Sequence, residues 1–212
     1  GVELLTDATS PVNKPFTVTG TTAYLSFLVN VLNTTTLSPN TTTTPGYFIG
    51  FGGSAGTTAI SILFPRVFIK AGTVAGSYQI GILNTTGGVV TYSFSSDLNI
   101  NTTYFIVVKT SAINSTSVPT ASLWINPVPG AAEPAASLVN TSGTSVWPTT
   151  GIQSVFLRHP NSSSGGYLTD MEIDEIRAGE TWASVTPAAA SSCATYNTMT
   201  ATACNTYSLN NQ

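Results

Sequence analysis

Five of the chain's nine carboxylates, Asp170, Glu172, Asp174, Glu175 and Glu180, fall within the stretch DMEIDEIRAGE. Clustered carboxylates support two kinds of chemistry. An acid and a nucleophile about 5–5.5 Å apart cleave glycosidic bonds with retention. Several carboxylate oxygens together hold a hard cation. The stretch alternates apolar and polar residues, as a strand does, and in a strand residues two apart share a face. Glu172 and Asp174 therefore share a face with Ile176, and Glu175 points the other way unless a bulge intervenes. Asp170 projects with Glu172 and Asp174, but neighbours on one face of a strand lie roughly 6.5–7 Å apart. Ca²⁺ takes oxygens at about 2.3–2.6 Å. A structural Ca²⁺ would need loop carbonyls to complete its shell, with Glu3 as a further ligand if the two terminal strands pair. The plainer reading is a solvent-facing closing strand whose charges oppose edge-to-edge association. Arg177, Arg158 or Lys109 would then face those charges across strands.

Other candidates are few. His159 is the single histidine, and no Gly-x-Ser-x-Gly nucleophile accompanies it. It reads as a strand-end residue that could contact a ligand. Trp147 lies in GTSVWPTTG. An exposed loop indole can stack on the apolar face of a sugar ring; one folded over the end of a sandwich cannot. Trp147 and His159 are thus the candidate binding residues. Trp124 alternates with Ser122 and Asn126, the pattern of a core or inner-face residue. Cys193 and Cys204 lie near the end of the chain with no His or further Cys beside them to complete a zinc site. A short-range disulfide in an oxidising compartment is the expectation. Asn-x-Ser/Thr sequons at Asn33, Asn40, Asn84, Asn101, Asn114, Asn140 and Asn161 read as Thr/Asn-rich loops.

The elements that carry these residues are strands. In TAYLSFLVNV, Leu25, Phe27, Val29 and Val31 form one face and Tyr24, Ser26, Leu28 and Asn30 the other. Further short runs follow: GYFIGFG, RVFIKAG, SYQIGIL, VVTYSFS, TYFIVVKT, ASLWINP, QSVFLRH and MEIDEIRAG. Most are bounded by Gly, Pro, Asn or Thr. NTTGG at 84–88 reads as a turn in which Gly supplies positive φ. No apolar stripe of helical period is sustained. About nine strands at this spacing predict an all-β, two-sheet antiparallel sandwich. Only 7% of residues are charged, against roughly 25% in ordinary chains, while 42% are hydrophobic, enough for a core. A net charge of −3 with no basic run argues against nucleic acid as a partner. No apolar run is long enough to insert in a membrane as a helix.

Together AYLSFLVNV, GYFIGFG, RVFIKAG, YQIGI, DLNINTTYFIVVKT, ASLWINP and IDEIRAGETWASVTP resemble a laminin-G/concanavalin A-like jelly-roll module of large secreted Bacteroidetes surface proteins. The resemblance covers residues 16–187. It implies type IX secretion and an extracellular, cell-surface role in adhesion or glycan binding, beside further modules of the same chain. Some concanavalin A-like enzymes hold a structural Ca²⁺ through an Asp on a similar last strand, and Asp174 matches that position. Others carry Glu-x-Asp-x-Glu or Glu-x-Asp-x-x-Glu, but here positions 176 and 177 are Ile and Arg. The expected organisation is a jelly-roll module over 1–186, a linker over 187–192 and the start of a following β module over 193–212. Strands before Gly1 are expected to belong to a longer protein. The expected function is non-catalytic: adhesion, or binding of a glycan or another surface protein. A structural spacer is the alternative, and a glycoside hydrolase a distant one.

Overall fold

Alternation decides the central strand. In β3 (Ala23–Val31), Leu25, Phe27, Val29 and Val31 are buried and enter the main core. The computed structural model describes residues 2–4, 12–55, 60, 62–158 and 169–188. The other strands are β1 (Val2–Leu4), β2 (Val12–Pro15), β4 (Gly46–Gly52), β5 (Leu63–Ala71), β6 (Ser77–Leu83), β7 (Ser93–Phe94), β8 (Leu98–Asn99), β9 (Thr103–Thr110), β10 (Ala121–Ile125), β11 (Leu138–Asn140), β12 (Ser154–Leu157) and β13 (Met171–Gly179). One sheet runs β1-β13-β3-β9-β10-β11; the other runs β2-β12-β4-β5-β6-β7, with β8 also on β6. All the pairings are antiparallel. The result is the two-sheet jelly-roll sandwich predicted from the alternation. Strands beyond the nine expected are mostly short, too short to stand out in the sequence.

Between the sheets, Phe27 meets Phe48 edge-on at 5.9 Å between centroids, and Ile69, Ile80, Ile82, Ile106, Val108 and Leu123 fill the layer. A second cluster lies on the outer side of the six-stranded sheet, where Tyr24, Val107 and Trp124 meet Trp182 and Val185 of the short helix α1 (Trp182–Val185). Thr181 caps the helix, its side chain accepting from the Ser184 N–H. Trp124 donates to the Pro134 carbonyl at 2.9 Å, and Trp182 donates to that of Ala131 at 2.9 Å. Trp124 is therefore buried, but in this outer layer and not between the sheets. The reason is that β10 pairs with β9 in a register that puts Leu123 inward, and period two then turns Trp124 outward. This cap occupies one broad face of the sandwich. The opposite face, the outer side of the seven-stranded sheet, carries no helix among the described residues.

At the position where the module was expected to end, the Thr186 carbonyl accepts from the Gly130 N–H at 2.8 Å and the Thr186 hydroxyl donates to the Trp182 carbonyl. Most of the expected linker, 189–192, and the segment 193–212 with Cys193 and Cys204 lie outside the described residues.

A single carboxylate ties the hairpin between β5 and β6. Asp97 accepts from the Thr73 and Val74 N–H groups, the Thr73 and Ser77 hydroxyls and the Gln79 amide, at 2.7–3.0 Å. These bonds, the Thr73 hydroxyl foremost, hold its carboxyl far below the usual 3.8. A carboxyl depressed on folding stabilises the fold above its unfolded value and stops doing so as pH falls toward the folded value. Asp97→Asn should thus lower the melting temperature at neutral pH, with the gap to the parent closing below about pH 3.8. Melting curves across that range check it; a gap independent of pH would contradict it.

Candidate functional site

The acidic strand β13 does close the sandwich, and the two terminal strands do pair, with Glu3 opposite Glu172. Yet its carboxylates do not converge. Asp170 accepts from Asn33 at 3.0 Å, Glu172 accepts from Asn30 at 2.9 Å, and Asp174 accepts from the Glu175 N–H at 2.8 Å. Glu180 accepts from the Thr19 and Gly20 N–H groups at 3.0 and 2.7 Å. The pairing of β13 with β3 slips between Asp174 and Arg177, and Glu175 takes φ +52°. One extra residue is thus accommodated, and the face reverses. Met171 and Ile173 point into the core before the slip, and Ala178 packs on it afterwards. Glu175 then pairs with Arg177 on the same strand. Of the cations expected to face this run, Lys109 instead pairs with Glu133 at 2.9 Å. No group of three His, Cys, Asp or Glu side chains close enough to hold a metal occurs among the described residues.

Of the two expected binding residues, Trp147 lies among the described residues. Trp147 is only 3% exposed. Its ring lies 4.4 Å from that of Phe64 and its N–H reaches the Thr110 hydroxyl at 3.4 Å. It is a core residue and cannot stack on a sugar. His159 lies outside the described residues.

A different constellation lies on the outer face of the seven-stranded sheet. The register aligns Phe156 of β12, Gly50 of β4, Arg66 of β5 and Leu83 of β6 across one row. A second row aligns Tyr47, Phe68, Gly81 and Phe94. Val67, Ile69, Ile80 and Ile82 alternate with these and enter the core, so both rows face outward. Tyr47 lies edge-on to Phe68 at 5.5 Å and to Phe156 at 6.1 Å, and Tyr92 sits on Phe68 at 4.8 Å. Phe68 and Phe156 are buried; Tyr47, Tyr92, Arg66 and Arg158 are half-buried. Phe94 can cross β6 only because position 81 is Gly, where a Cβ would meet its ring at 2.5 Å.

Three cations lie against the rings of this face. The Arg158 guanidinium carbon is 4.3 Å from the Tyr47 ring centre, and that of Arg66 is 5.1 Å from the same ring. Lys70, two residues beyond Phe68 on β5, holds its ammonium 4.4 Å from the Phe94 ring. Three of the chain's six Lys and Arg residues thus gather here. Burial pulls the Arg66 guanidinium below its ordinary value, and the Tyr47 hydroxyl partly offsets this; an arginine nonetheless stays charged. Its Nε is buried with no hydrogen-bond partner. Asp97 acts electrostatically on Lys70 and is committed to the hairpin described above. Alternation in RVFIKAG puts Arg66, Phe68 and Lys70 on one face and so carried part of this signal. Tyr47 and Arg158 join them only through strand pairing.

No protein-family model matches the chain, and no curated protein matches it. Solved structures do. An alginate lyase from Pseudomonas aeruginosa is 14% identical, with a TM-score of 0.43 over 76% of this chain and 65% of its own. Alginate lyase A1-II′, a member of polysaccharide lyase family 7, is 10% identical, with a TM-score of 0.42 over 76% of this chain and 63% of its own. The matched region spans less than two thirds of either neighbour. At this identity the likeness concerns the jelly-roll fold. These neighbours are alginate lyases, enzymes, which runs against two expectations: a non-catalytic adhesion or binding module and the absence of enzymatic activity. What this chain does must be argued from its own residues.

Proposed function

We propose that this chain cleaves an acidic polysaccharide by β-elimination on the outer face of the seven-stranded sheet. One observation carries the proposal: the guanidinium groups of Arg66 and Arg158 both lie against the Tyr47 ring on a half-buried aromatic face. Hydrolysis of a glycosidic bond ordinarily needs two carboxyl groups, and this face offers none among the described residues. Elimination needs something else. The carbon beside a sugar carboxylate becomes acidic only when the charge delocalised onto that carboxylate is neutralised. Guanidinium groups do this, and they bind carboxylates in a matching fork. A proton acceptor must then reach that carbon. Tyr47 in its ionised form would take the proton. The electron pair becomes the new carbon–carbon double bond, the bond to the linking oxygen breaks, and that oxygen takes a proton. One hydroxyl can both remove and return the proton when the two atoms lie on one side of the ring. Phe68 and Tyr92 supply apolar surface for the ring's CH face.

The alginate named for the neighbours is itself an acidic polysaccharide, the substrate class that the cations favour here. An extracellular setting, on a secreted multi-module protein of the type IX kind, belongs to the same proposal and fits the charge-poor Ser/Thr/Asn composition. The test is depolymerisation of alginate, pectate and a neutral β-glucan by the purified chain. Turnover of an acidic polymer is expected, weakening with salt as exposed charges are screened. Inactivity on both acidic polymers, or equal cleavage of the glucan, would overturn the proposal.

A further inference from the structure

Arg66 faces two surroundings. On one side is Tyr47; on the other is a cleft of about 490 Å³ at the end of the face, lined by Ile60, Ile62, Leu63, Phe64, Thr86, Ser145 and Val146 as well as Arg66. Its size suits a small ligand, since such sites run from roughly 300 to 1,000 Å³. Its lining is apolar, with two hydroxyls and one cation, the complement of a sugar ring that bears a carboxylate.

One wall is built to stay in place. The Thr144 and Ser145 N–H groups both donate to the Thr86 carbonyl at 2.8 Å, and the Thr86 and Ser145 hydroxyls share a bond at 3.2 Å. Gly143, at φ +96°, lets the two loops touch, because a Cβ there would lie 2.4 Å from the Thr85 carbonyl oxygen. The facing side holds Ile62 at φ +57° with its side chain 41% exposed. A β-branched residue in the left-handed region is a rare arrangement, and such outliers collect at ligand sites. Here it keeps an apolar side chain in the open cleft instead of the core.

We infer that this cleft receives the end of an acidic polysaccharide, so that the protein cuts close to a chain terminus and releases short products. The inference rests on the reading of the face as a lyase site and adds its mode of action. The polymer then extends from Arg66 along β5 toward Phe68 and Lys70, while the wall of Thr86, Ser145 and Val146 stops it at the other end.

Two measurements decide it. Product lengths from an acidic polymer are followed from the first minutes, together with viscosity. Val146→Trp, at a half-exposed position outside the Tyr47 cluster, fills the cleft. Short products from the outset with slow loss of viscosity are expected. The Trp variant, with an unchanged melting temperature, should lose roughly a hundredfold in kcat/KM, the scale of an ångström-sized misplacement of substrate. Early long oligomers with a rapid fall in viscosity, or a fully active Trp variant, would overturn the terminal cleft while leaving elimination itself intact. Absence of turnover by the parent chain on every acidic polymer would overturn the lyase reading and the inference with it.

Discussion

Arg66→Ala should reduce kcat/KM on an acidic polysaccharide by about 10²–10³, the range for removing one charge-stabilising donor from an active site. The loss should fall on kcat more than on KM. Arg66 neutralises charge that builds up on the substrate carboxylate only as the neighbouring proton leaves, and an interaction stronger in the transition state acts on kcat. Arg66→Lys keeps the charge but loses the planar fork, so it should recover only part of the activity. Tyr47→Phe keeps the ring under both guanidiniums and removes only the proton-transferring oxygen; a drop of about 10²–10⁴ is expected. Fold should survive all three changes, because the altered groups lie on the outer face. Steady-state kinetics on one polymer, with melting curves as the control, checks the set. Full activity in Tyr47→Phe would remove the phenol from the mechanism.

The second large effect concerns stability. Trp147→Ala should destabilise the fold by about 3–5 kcal/mol, the usual cost of deleting a buried aromatic side chain. The indole lies against Phe64 and belongs to the main core. No surface contact of the ring is lost, so a sugar-binding role predicts the opposite outcome: unchanged stability and weakened binding. Chemical denaturation of the variant separates the two. Trp147→Phe, which keeps an aromatic ring against Phe64, should recover a large part of the difference.

Much of this architecture was legible because period-two alternation reports burial directly. Leu25, Phe27, Val29 and Val31 on β3 and the inward set Val67, Ile69, Ile80 and Ile82 on β5 and β6 follow from it. Where it failed, a local event or a distant partner decided. On β13 the alternation predicts one face for Glu172, Asp174 and Ile176, but the extra residue after Asp174 reverses the order, and only the φ of Glu175 betrays it. Trp124 alternates just as a core residue does, yet it is buried by α1 and the segment around Pro134, which no strand pattern announces. The loop pattern left Trp147 either exposed or folded over the sandwich end, and only the structure shows that its ring lies against Phe64.

The candidate site was the least legible part. The acidic run drew attention because its charges are adjacent in sequence, and adjacency is what a sequence displays. The cations that gather on the outer face come from separate strands. Arg66 and Lys70 share β5, while Arg158 follows β12 and Tyr47 belongs to β4. Only the order β12-β4-β5 brings Arg66 and Arg158 onto the Tyr47 ring. Elimination at that ring is the central claim, and the fate of water tests it most directly. An acidic polysaccharide is digested in heavy-oxygen water and the products are weighed by mass spectrometry. The account predicts a double bond at each new non-reducing end and, before the reducing ends exchange with solvent, no heavy oxygen in the products; saturated fragments with one heavy oxygen gained per cut, at the new reducing end, would mean hydrolysis and would contradict it.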